Sequence, residues 1–110
     1  MNGDSLPLCS ALASDPELQE IVRLFVEEMP ERMSVFEKHL ASGNWGELAR
    51  AAHQLKGAAG SHGFAKLSSA AAELESTIKS EADRKTIADA TAALAALCRR
   101  VSSLPAPVLE

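Results

Sequence analysis

Apolar residues recur at intervals of three and four through most of the chain, with polar residues filling the positions between. Leu18, Val22, Phe25 and Met29 form one stripe, which Met33, Phe36 and Leu40 resume beyond Pro30. Trp45, Leu48, Ala52, Leu55 and Ala59 form the next, followed by Phe64, Leu67, Ala71, Leu74 and Ile78, and then by Ile87, Ala90, Leu94, Leu97 and Val101. This is the period of an amphipathic helix that buries one face. The spaced Val/Ile/Thr alternation of strands is missing, and the abundant alanine favours helix further.

Local signals divide the stripes into elements. Asp15-Pro16-Glu17 reads as a helix start, with an N-cap carboxylate, proline in the first turn and an acidic residue after it. Pro30 either kinks this helix or opens a second one. Gly43-Asn44 closes that block. A helix is predicted from about Trp45 to Gly60, a break at Ser61-His62-Gly63, a further helix ending near Ser80, and a last one from about Ala82 to Ser103. Leu104-Pro105-Ala106-Pro107 stops it. Amphipathic helices joined by such short connections pack best as antiparallel neighbours. The expected fold is all-α: an up-down antiparallel four-helix bundle with an additional N-terminal helix, split or kinked at Pro30. Residues 1–13 are expected to be a flexible leader, 14–104 the bundle domain and 105–110 a flexible tail.

Composition narrows the function more than the fold. The 110 residues carry a formal charge of −4, and the basic residues are dispersed. Nucleic acid and anionic membranes are therefore poor partners. Cys9 and Cys98 form no metal-binding spacing and read as free thiols. No secretory signal and no membrane-length apolar run is present, so a cytoplasmic protein is expected; a monomer is the expected state. The initial Met and short leader point to a freestanding chain.

The most informative stretch is Ala51-Ala52-His53-Gln54-Leu55-Lys56-Gly57-Ala58-Ala59-Gly60-Ser61-His62-Gly63-Phe64. On a helical wheel Lys56, Gly57 and Gly60 lie within about 60° of His53, and Ala49 within about 40°. The inward stripe of this helix is centred roughly 120° away. His53 therefore belongs at or outside the edge of the buried face, beside a cation and little side-chain bulk. Glycine in a helix interior costs about 1 kcal/mol against alanine, so Gly57 suggests close approach by another body. Spacing alone leaves open an ordinary, partly exposed histidine.

His53-x-Leu55-Lys56-Gly57, followed by small residues and by Gly63, resembles the signature of histidine-containing phosphotransfer (HPt) domains. Phe25-Val26-Glu27-Glu28-Met29-Pro30-Glu31 and Gly43-Asn44-Trp45 are similar to the family's preceding helices, and Leu67, Leu74 and Glu75 to its following one. The resemblance covers about residues 15 to 80; the last helix matches only as a generic amphipathic helix.

The resemblance implies that His53 accepts a phosphoryl group from an aspartyl-phosphate on a receiver domain and passes it to another receiver's aspartate. Nε2 would carry the group while Nδ1–H is held, with Glu75 the candidate holder and Glu73 the weaker choice. Lys56 would face the phosphoryl oxygens. Gly57 and Gly60, with Ala49 and Gln54, would leave room for the visiting receiver, and Gly63 would open the next helix. Ile21, Leu24 and Glu28 form a second stripe on the first helix. They are either a docking surface or a widening of the core. Expected partners are response-regulator receiver domains, a hybrid sensor histidine kinase, or both.

No cofactor is expected on this chain; Mg²⁺ would belong to the receiver. There is no nucleotide-binding loop, so the protein would be a carrier and not an enzyme. A helical adaptor that binds receivers or kinases without turning over phosphate is the alternative. His62 is expected to be exposed and inert, and His39 to lie on the polar side of its helix. With His53 they make no metal motif.

Overall fold

The computed structural model describes residues 6–105. Its helices are α1 (Gln19–Glu27), α2 (Met29–Ser42), α3 (Trp45–Ser61), α4 (Ala65–Lys79) and α5 (Arg84–Cys98), flanked by the two-residue strands β1 (Leu8–Cys9) and β2 (Val101–Ser102). Helices α2 to α5 pack in a closed ring, α3 on α4, α4 on α5, and α2 on both α3 and α5. The fold is an all-α helical bundle, with α1 as the additional helix. Contacts between residues 53 and 75, and between 56 and 68, set α3 and α4 antiparallel.

The apolar stripes supply the core. Phe36, Leu48, Leu55, Leu67, Leu74 and Leu94 are all buried, and Ala52, Ala59 and Ala71 let the helices approach closely. On α5 the buried face is Ile87, Thr91, Leu94 and Cys98, while Ala90 and Leu97 pack along its border. Thr91 escapes an apolar pattern search because its hydroxyl is satisfied locally, donating to Ile87 O at 2.8 Å.

Pro30 opens a second helix and does not bend the first. It sits in the first turn of α2, where its missing N–H costs no helical bond, and Glu28 alone separates α1 from α2. Gly43 adopts the left-handed conformation (φ 69°) that ends α2. The Arg84 guanidinium reaches back to the carbonyls of Leu40 and Ala41 at 3.2 and 3.4 Å and lies over the Trp45 ring. The start of α5 is thus tied to the end of α2. Asp83 caps α5 by accepting the Thr86 N–H at 2.8 Å.

Three expectations need correction. The first helix starts at Gln19, because Asp15 caps a tight turn instead: its carboxylate accepts the Glu17 N–H at 2.9 Å and its carbonyl the Leu18 N–H at 3.0 Å. The last helix stops at Cys98, and Val101–Ser102 pairs in parallel with Leu8–Cys9. Residues 6–13 are not a loose leader. Leu8 and Ala13 are buried, and Ser10 donates through Oγ to the His62 carbonyl at 2.5 Å. This strap explains Gly63 (φ 82°), where a Cβ would meet Ser10 Oγ at 2.5 Å and the Ala11 nitrogen at 3.0 Å. Residues 1–5 of the leader and 106–110 of the tail lie outside the described residues.

Candidate functional site

The α3–α4 pair brings one imidazole and one carboxylate together from opposite environments. His53 stands on the outward side of α3, its side chain 64% exposed, whereas that of Glu75 on α4 is only 8% exposed. His53 Nδ1 lies 3.0 Å from Glu75 Oε2. Lys79 Nζ reaches the same oxygen at 2.8 Å, and Lys56 Nζ reaches Oε1 at 3.2 Å. A buried carboxylate with this many donors is stable as the anion. Hydrogen bonding from Lys79 is the largest effect holding the Glu75 carboxyl down at about 2, with Lys56 and His53 adding to it against the opposing cost of burial.

The ionised carboxylate can only accept, so Nδ1 carries the ring proton when His53 is neutral. Nε2 is then the unprotonated nitrogen on an exposed ring. A nitrogen so placed has the free lone pair and the fixed tautomer that a nucleophile requires, with an anion on the far side of the ring. A shallow groove of about 330 Å³ lies beside it, lined by Gly46, Ala49, Arg50, His53, Glu75 and Lys79.

The remaining expected positions divide between this face and others. Gly57 is exposed, with nothing within 4 Å of where a Cβ would be. Gly60 is exposed but directed at α4, where an added Cβ would sit 3.5 Å from Ser68 Oγ. That serine also donates to the Lys56 carbonyl at 2.8 Å, so the small residues here draw the two helices together. Gln54 is exposed on the other flank of α3, lining a small cavity with Arg32, Val35, Phe36 and Ala51.

Ile21 and Leu24 are 48% and 49% exposed, so they do not widen the core, while Val22 and Phe25 beside them are buried. Glu28 pairs with Arg32 at 3.2 Å. Helix α1 joins the end of α3 through Phe25, whose ring stacks on His62 and Phe64 at 4.8 and 5.3 Å. Glu73 is exposed and takes no part in the His53 contact.

Two histidine expectations are corrected. His62 is half-buried and stacked, and its Nδ1 lies 2.6 Å from the Ala58 carbonyl. His39 is also half-buried, and its Nδ1 is buried with no hydrogen-bond partner among the described residues. Burial pushes the Cys98 thiol up to about 11, which leaves it protonated and unreactive.

The histidine, its spacing and the bundle around it agree with a family-level finding: the Hpt domain model matches residues 20–104. The chain belongs to the Hpt domain family. No curated protein and no solved structure matches it. Hpt domains serve phosphotransfer in two-component systems, as phosphocarriers and not as kinases, and they interact with receiver domains and histidine kinases. The Hpt match runs from α1 to just past β2, so the strap at residues 6–13 lies outside it. No described helix is long and apolar enough to cross a membrane.

Lys79 and Arg50 complete the His53 face without belonging to the motif. Both had a signal. Lys79 follows Glu75 at i+4, the spacing of a helical ion pair, and Arg50 precedes His53 by three residues on the same face.

Proposed function

We propose that His53 is the phosphoryl-accepting residue of this Hpt domain and relays the group between receiver aspartates. The observation that carries the reading is the pairing of an exposed imidazole with a buried, ionised Glu75 through Nδ1. In the forward step the Nε2 lone pair attacks phosphorus in line. The N–P bond forms as the P–O bond of the aspartyl-phosphate breaks, and the receiver's aspartate leaves as carboxylate. Nδ1 keeps its proton, so the ring becomes cationic, and Glu75 stabilises that charge. Phosphoryl transfer asks mainly for position and charge neutralisation, which a rigid helical platform can supply.

Lys56, 38% exposed, is long enough to turn from Glu75 toward the phosphoryl oxygens. The Mg²⁺ needed to activate the aspartyl-phosphate would be the receiver's. Receivers would dock over Gly57, Gly60, Ala49 and Gln54, with the exposed Ile21 and Leu24 and the neighbouring Glu28 providing the apolar and charged contacts. Such an interface has to be small enough to release after transfer.

The test is transfer of radiolabel from a phosphorylated receiver. The wild-type chain should take up an acid-labile, base-stable label, and His53→Gln should take up none. Persistent label on that variant would disprove the site. Binding of receivers by the wild-type chain without label transfer would favour the adaptor reading instead.

A further inference from the structure

The charged groups around His53 come from two elements, Arg50 and Lys56 from α3 and Glu75 and Lys79 from α4. One contact among them creates a difficulty for a nucleophile. An anion 3.0 Å from an imidazole favours the protonated ring, and a protonated Nε2 has no lone pair to give. A buried carboxylate left alone with His53 would therefore favour the inert imidazolium.

We propose that Lys79 is a positioning residue that keeps His53 neutral by engaging the same carboxylate oxygen. The inference rests on His53 being the nucleophile. Lys79 Nζ lies 2.8 Å from Oε2, closer than His53 Nδ1 at 3.0 Å. Its ammonium offsets the anion at the atom the ring meets, and it also repels a second positive charge on the ring. Both effects act in one direction, toward the neutral imidazole. Lys56 sits on the other oxygen and offsets less of the charge that His53 feels. Helical spacing favours this arrangement, since Glu75 and Lys79 are one turn apart on the same face of α4. The carboxylate can then orient Nδ1–H without locking the proton onto Nε2. Once the phosphoryl group is attached and the ring is cationic, the same anion is available to stabilise it.

The test follows the ring of His53 directly, by ¹⁵N NMR titration of the unphosphorylated protein, with His39 and His62 as internal references. Lys79→Met should move the His53 titration to higher pH, the direction set by an uncompensated neighbouring anion. Lys79→Arg should leave it where the wild type has it. Lys66→Met, which removes the same charge from the far end of α4, should also leave it unchanged. Phosphoryl uptake by Lys79→Met should then fall more at pH 6.5 than at pH 8.5.

A Lys79→Met titration that superimposes on the wild type would overturn the proposal. So would an equal loss of uptake at both pH values, which would mean that Lys79 serves only to contact the phosphoryl group. The titration needs no partner, so a wild type that accepts no phosphate would count against His53 as the nucleophile and not against the His53–Glu75–Lys79 coupling.

Discussion

His53 and His62 sit nine residues apart at the middle and the end of one helix, and both have Nδ1 held by an oxygen. At His53 the oxygen is a buried carboxylate from another helix and the ring stands in solvent. At His62 it is the backbone carbonyl of Ala58, one turn earlier, and the ring lies flat against Phe25 at an interplanar angle of 16°. The first arrangement supplies a counter-charge and an approach path. The second supplies neither, and its product is packing, since it fastens α1 to the α3–α4 break. A held Nδ1 alone therefore says little about reactivity. What separates the two is the charge of the acceptor and the exposure of the opposite edge of the ring.

The sharpest way to break this contrast is phosphoryl uptake by His62→Gln. Its label should stay within about threefold of wild type, whereas loss of His53 should lower uptake by more than 100-fold, as removal of a nucleophile does. Stability should show the reverse order. Phe25→Ala, which empties the stack on His62, should cost about 3 kcal/mol in urea unfolding, while His53→Ala, which leaves Glu75 its two lysine partners, should cost about 1 kcal/mol or less.

The glycines beside the two histidines sharpen it further. Gly63→Ala should lose at least about 2 kcal/mol, since the left-handed backbone and the Ser10–Ala11 strap leave no room for a methyl group. Acid unfolding probes the carboxylate itself. The Glu75 carboxyl lies at about 2 in the folded protein against an ordinary 4.5, so its ion pairs contribute fully above pH 4.5. That contribution fades as pH falls from 4.5 to about 2. Wild type should thus lose stability relative to Glu75→Gln across that window, and parallel curves would contradict the pairing. The smallest effect belongs to Gly57→Ala, which should stabilise the helix by about 0.5–1 kcal/mol while slowing transfer from receivers. Unchanged transfer would remove Gly57 from the docking surface.

The four main stripes of apolar residues were readable because helical burial repeats every three to four positions and because Pro30, Gly43 and Gly63 punctuate it. The His53-x-Leu55-Lys56-Gly57 motif marked the site, and the family resemblance pointed to Glu75. Other features could not be read so directly. Asp15-Pro16 looks the same whether it caps a helix or a turn. The strap over Gly63 and the β1–β2 pairing join residues more than 50 and 90 positions apart, and no local pattern encodes such contacts.

The sequence by itself determined the helical blocks and most of their buried faces, and it placed His53 outside them, because each depends on spacing within a turn or two of chain. Only the tertiary structure decided which charges meet. Glu75 becomes a buried anion shared by His53, Lys56 and Lys79 because α4 packs antiparallel on α3 in one register. The strength of that interaction depends on burial and on distances of about 3 Å, and both arise only when the two helices come together.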